Sequence, residues 1–152
     1  MRIEIHIITG RSPSVQKLAA AKWVILAFEN DKTVSQKEGI VTLVDCTNKK
    51  AALVALRDAL KRFNKAAVIK LYIADPFVRN MLIANMPRRW ADHDWKRFRY
   101  NREIRYKELW EEINGLLKNH AVSYASKEEL KNIDKEIRKW REQELVNFVV
   151  SP

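Results

Sequence analysis

Between Arg88 and Lys107 the chain carries eight basic residues: Arg88, Arg89, Lys96, Arg97, Arg99, Arg102, Arg105 and Lys107. Three acids, Asp92, Asp94 and Glu103, offset them and leave +5 over twenty residues. Trp90, Trp95, Phe98, Tyr100 and Tyr106 are interleaved. Cations hold phosphates and flat rings stack on sugars or bases, so this composition points to nucleic-acid contact. Some of the rings have a plainer use, and Trp90 and Trp110 are expected in the core. The remaining reactive residues form no recognisable constellation. His6, His93 and His120 are too scattered for a zinc site, and Cys46 is the single cysteine. No P-loop or dinucleotide fingerprint occurs.

These residues have to be positioned by the elements around them. Residues 2–8 alternate, with Ile3, Ile5 and Ile7 on one face, and read as a strand. Gly10 permits a turn. The runs 22–29 and 40–46, the second entered after Gly39, read as two more strands of an antiparallel meander. From Lys49 to Phe63 the period becomes helical, with Thr47 or Asn48 as the cap. Residues 66–73 form a fourth strand, reached through a helix and therefore expected parallel to a neighbour. Pro76 opens a short helix that ends near Pro87. The basic aromatic stretch follows. Next comes a helix with Ile104, Trp110, Ile113 and Leu117 inward, then a short strand at 121–124. Ser126 caps a last helix, with Glu129 completing a capping box and Leu130, Ile133, Ile137 and Trp140 as its apolar stripe.

The bulk composition suits such a fold. At 152 residues and 47% apolar content, residues 1–152 read as one domain with a real core. Seven residues are Gly or Pro, too few for wholesale disorder. No apolar run approaches the roughly 20 residues needed to cross a bilayer. The alternating N-terminus is unlike a secretory signal, and a lone cysteine fits a reducing, cytoplasmic setting. The net charge of +10 favours polyanions.

Three strands, helix, strand, two helices, strand and helix is an unusual order. It resembles the type 1 ribonuclease H family. The string Thr47-Asn48-Lys49-Lys50 before Ala51-Ala52-Leu53 resembles the start of that family's first helix. Leu71-Tyr72 followed by Phe77-Val78-Arg79-Asn80 resembles its fourth strand and next helix. Trp90, Trp95 and Lys107-Glu108-Leu109-Trp110 resemble its basic handle, and Ile133-Asp134-Lys135 its last helix. The resemblance implies an α/β (α+β) fold: a mixed five-stranded sheet of three antiparallel meander strands and parallel additions, with helices packed on it.

The family's chemistry, which the resemblance also implies, uses four carboxylates on two divalent metals at an RNA phosphate. The first position falls here on Thr9, the second on Ala52 and the third on Ala74, with Asp75 one residue along; the fourth keeps Asp134. Asp45 is a candidate substitute ligand. Asp134 also lies one turn from Arg138, where an ordinary helix-surface pair would form. Asn48 and Lys49 occupy the turn that in the family reads the minor groove of an RNA–DNA hybrid. A lysine there keeps a phosphate contact but loses the amide's paired donor and acceptor.

The reading that follows is a ribonuclease H-like domain without catalysis. It binds an RNA–DNA hybrid or duplex through Asn48, Lys49, Arg88, Arg89, Trp90, Trp95, Lys96, Arg97, Arg99 and Arg102, and it needs no cofactor. Two alternatives stand beside it. One is an active hybrid endoribonuclease with a rearranged Mg2+ or Mn2+ site of Asp75, Asp134 and Asp45. The other is a structural or interaction module.

Overall fold

The computed structural model describes residues 1–10, 12–96 and 104–131. Its elements run β1 Arg2–Thr9, β2 Val15–Glu29, β3 Lys32–Thr47, α1 Asn48–Leu60, β4 Val68–Ile73, α2 Pro76–Ile83, α3 Met86–Ala91, α4 Lys107–Leu117, β5 Ala121–Tyr124 and α5 Lys127–Lys131. One five-stranded sheet has the order β3-β2-β1-β4-β5. β1–β2 and β2–β3 are antiparallel, and β1–β4 and β4–β5 are parallel. The expected mixed sheet, with meander strands first and parallel additions after, is what forms.

β2 and β3 are much longer than the residue pattern suggested. β2 begins at Val15 rather than residue 22, because Ala19, Ala20 and Ala21 are buried in the sheet. Alanine has weak strand preference, so these positions read as irregular until the packing is known. Asn30 and Asp31, with φ of 50° and 63°, close a two-residue hairpin loop, and β3 starts immediately after it. Gly39 does not precede the strand but sits inside it, opposite Trp23. A Cβ there would lie 2.6 Å from the Trp23 indole, so the ring occupies the space that a side chain would need.

The helical region is divided differently from the expectation. α1 stops at Leu60, and the helix opened by Pro76 ends at Ile83. A second short helix, α3, then carries Pro87 in its first turn. Trp110 and Ile113 of α4 are buried, as is Ile104 just before it, whereas Leu117 is only partly covered. The Ser126 capping box is present: Glu129 N–H donates to Ser126 Oγ at 3.1 Å, and Ser126 N–H to Glu129 Oε1 at 3.2 Å. Ile133, Ile137 and Trp140 lie outside the described residues.

The core lies between α1, α4 and one face of the sheet. Ile5, Ile7, Ala19, Ala21, Trp23, Ile69, Leu71 and Ile73 supply the sheet side, and Ala51, Ala52, Leu53, Leu56 and Trp110 the helical side. The other face carries buried polar groups. His6 stacks on Tyr72 with ring centroids 4.4 Å apart and hydrogen-bonds to Glu4 at 3.0 Å. Lys22 is buried with its Nζ 3.6 Å from Glu38. The His6 hydrogen bond holds the Glu4 carboxyl below its ordinary value of 4.5.

Gly39→Ala should destabilise the fold by about 1–3 kcal/mol through overpacking against Trp23. Gly115→Ala, in α4 with nothing within 4 Å of the added carbon, should stabilise it by roughly 0.5–1 kcal/mol. Paired denaturant melts check both signs. Because Glu4's value is lowered by folding, its contribution is present above 4.5 and is lost as pH falls through the lowered value. Glu4→Gln should therefore flatten the acid limb of a stability-against-pH curve.

Candidate nucleic-acid interface

β1 and β4 end side by side. Ile7 pairs with Ile73, and Ala74 N–H donates to Ile7 O at 3.1 Å, so Thr9 and Asp75 each follow two residues after the last paired residues, at the same end of the sheet. α1 starts at the same end. Thr47 is its N-cap, its Oγ1 accepting from Lys50 N–H at 3.1 Å. Asn48 is 7% exposed, and its Nδ2 donates to Ser12 O at 3.1 Å. Gly10 makes room for that amide, since a Cβ at this position would lie 2.9 Å from Asn48 Nδ2. The loop after β1 is thereby tied to the start of α1. Lys49 reaches α2, with its Nζ 3.7 Å from the Phe77 ring centroid.

The positions that the resemblance gives to carboxylates come out as follows. Thr9 is half-buried at the end of β1. Ala52 is 0% exposed in α1, a core position. Ala74 is exposed just beyond β4. Asp75 serves as the N-cap of α2, its Oδ1 accepting from Val78 N–H at 2.9 Å. Asp45 is exposed on β3 at φ 52°, between the pairs Gln16↔Cys46 and Leu18↔Val44, and β2 and β1 separate its strand from β4. The structure does not bring Asp45 to Asp75. Asp134 lies outside the described residues. Among the described residues no three His, Cys, Asp or Glu gather as a metal-ligand group. A hydroxyl, two methyl groups and a capping carboxylate are a poor fit to a pair of hard divalent ions.

No protein-family model matches the chain. Among curated proteins, the ribonuclease H of Acetivibrio thermocellus is 29% identical over 80 residues, 53% of this chain and 54% of that protein. The ribonuclease H of Clostridium botulinum is 31% identical over 80 residues, 53% of each. The match spans about half the length of these relatives. Among solved structures, the foamy viral protease-reverse transcriptase in complex with dsDNA superposes with a TM-score of 0.69 at 13% identity, covering 96% of this chain and 91% of that one. LC9-RNase H1, described as a type 1 RNase H with the type 2 active-site motif, gives 0.64 at 15% identity, covering 81% and 61%. The chain has a ribonuclease H-like fold.

In this ribonuclease H-like chain the basic aromatic segment is only partly described. Arg97, Arg99 and Arg102 lie outside the described residues. Arg88 and Arg89 are exposed on α3. Trp90, named among the binding residues, is instead buried in the core, where its ring lies edge-on to Trp110 at 5.6 Å and 6.5 Å from Trp95, so it has no face free to stack on a base. Trp95 and Lys96 are half-buried, and Trp95 packs against the core. Tyr106, just before α4, hydrogen-bonds through its hydroxyl to Thr47 Oγ1 at 2.9 Å. That bond joins the end of the basic segment to the start of α1. Sequence reading missed it, as it missed Ser12, because neither contact is local and no spacing rule relates the partners.

Thr47→Ala should cost about 1–2 kcal/mol, through the lost cap and the lost Tyr106 contact. Tyr106→Phe should cost roughly 0.5–1.5 kcal/mol. Because the two share one bond, the double variant should cost less than the sum, which a double-mutant cycle of denaturation midpoints measures.

Proposed function

We propose that this ribonuclease H-like domain binds an RNA–DNA hybrid or nucleic-acid duplex without hydrolysing it. The observation that carries the reading is the residue set Thr9, Ala52 and Ala74 at three of the four positions the resemblance gives to carboxylates, with the neighbouring Asp75 carboxylate engaged as a helix cap. A pair of divalent cations would need a concentration of negative charge from the protein to hold it, and these residues supply little. The net charge of +10 and the basic segment supply what binding alone requires. Structural neighbours include a protease-reverse transcriptase in complex with dsDNA and one in complex with an RNA/DNA hybrid, in keeping with a nucleic-acid partner.

Within the reading, Lys49 and the exposed Arg88 and Arg89 contact phosphates, together with Lys96, Arg97, Arg99 and Arg102. Asn48 has one N–H engaged in the fold, so it would meet a strand through Oδ1 or its second N–H. No cofactor is required. The alternative, an active hybrid endoribonuclease using Mg2+ or Mn2+, draws support from the relatives named ribonuclease H. It would rest on Asp134 and Asp75.

Purified protein should shift a labelled RNA–DNA hybrid on a gel at low salt and leave its RNA strand uncut with magnesium or manganese. If the interface makes about four phosphate contacts, log affinity should fall against log salt with a slope of roughly −3 to −4. Arg97→Ala with Arg99→Ala should flatten it by up to about two units. Metal-dependent cleavage abolished by Asp134→Asn would establish the alternative. Absence of binding at low salt would leave a structural module.

A further inference from the structure

β3 is an edge strand: β2 pairs with one side of it, and among the described residues no strand pairs with the other. It runs for 16 residues, Lys32–Thr47, which is long for an exposed edge. Charges flank its middle, with Lys32, Lys37 and Glu38 before it and Asp45 after it, and the run Gly39–Val44 (GIVTLV) has none. Ile40 is 37% exposed and Val44 71% exposed, with Thr42 exposed between them. The register Ile40↔Lys22, Thr42↔Ala20 and Val44↔Leu18 places these three on the face opposite α1. Val41 and Leu43, opposite Ala21 and Ala19, lie on the α1 face. A charge-free, β-branched stretch on an open edge is what natural sheets ordinarily avoid unless something pairs with it.

We propose that this edge pairs antiparallel with the β3 edge of a second copy of the chain, about a twofold axis at Thr42. The strand's own sequence selects the occupant and the register. A twofold axis perpendicular to the sheet keeps each face on its own side, so residues an even number apart meet across it. With Thr42 opposite itself, Ile40 meets the partner's Val44 and Val41 meets the partner's Leu43, and symmetry repeats both pairs. Lys37 then falls diagonal to the partner's Asp45 at both ends of the run. Centring on Val41 sets Glu38 against Val44, and centring on Ile40 sets Glu38 against Thr42 and Gln36 against Val44. Neither gives two apolar pairs. The product is one continuous ten-stranded sheet. Each copy carries +10, so long-range repulsion opposes pairing and added salt relieves it. Nucleic-acid binding responds to salt in the opposite direction.

Sedimentation of the full chain without nucleic acid at about 100 µM should give twice the chain mass, and more completely at high than at low salt. Val44→Lys, at an exposed site, should weaken self-association about tenfold or more, by placing a charge against Ile40 on each side of the axis. Val68→Lys adds the same charge at a 66% exposed site on β4 and should leave the dimer largely intact. In a Cys46→Ser background, Thr42→Cys should cross-link to its own copy under mild oxidation with diamide, since directly opposite Cβ atoms come within about 4.5–5.5 Å. Ile40→Cys should not. A single-chain mass at both salt concentrations would overturn the proposal. So would a dimer indifferent to Val44→Lys, or cross-linking at residue 40 in preference to 42.

Discussion

The arrangement depends on how closely α1 can approach the sheet. Ala51, Ala52, Ala55 and Ala59 are all 0% exposed on the helix, and Ala19 and Ala21 are 0% exposed on the β2 face beneath it. Small side chains on both surfaces let a helix and a sheet close to native packing density without voids. Leu53, Leu56 and Leu60 fill the core around that alanine seam. Once α1 is seated, its first turn is fixed beside the ends of β1 and β4, and Asn48 meets the Gly10–Ser12 loop. A carboxylate at position 52 would demand both volume and charge at a fully covered site, where an unpaired ion costs several kcal/mol. The residue that seats the helix is therefore the one the resemblance would assign to catalysis.

This seam also explains which parts of the fold were legible. Element order, the parallel crossover into β4, the Thr47 cap and the Ser126–Glu129 box all follow from local periodicity and capping chemistry, which act within a few residues. The alanines of β2 were unreadable for the opposite reason, since alanine favours a strand only when a helix lies on it. Gly39 was misplaced because a glycine looks like a breaker until the Trp23 ring across the ladder explains it. At the candidate site, the family resemblance pointed to Thr9, Ala52, Ala74 and Asp134, with Asp75 one residue along from Ala74. It could not reveal that Asp75 caps α2, that Asn48 is largely buried, or that Thr47 and Tyr106 share a hydrogen bond.

Charge is divided across the molecule in a way that suits a binder. Several acids on the described surface are held by nearby cations. Glu112 meets Lys61 and Arg57, Glu129 pairs with Lys70, and the hydrogen bonds from Lys61 and Lys70 hold the respective carboxyls below their ordinary range. The exposed Arg88 and Arg89 belong to a segment with surplus positive charge. Exposed pairs of this kind contribute little stability each, so their main effect is to leave the net field positive.

The most direct test of the central claim is paramagnetic broadening by Mn2+ in the amide spectrum of isotope-labelled protein. The account predicts weak, non-saturating effects spread over exposed acids, with the amides of Thr9, Gly10 and Asp75 no more affected than Asp31 or Asp45. Selective, saturable broadening centred on Thr9 and Asp75, reversed by Mg2+, would show a built divalent site and contradict it.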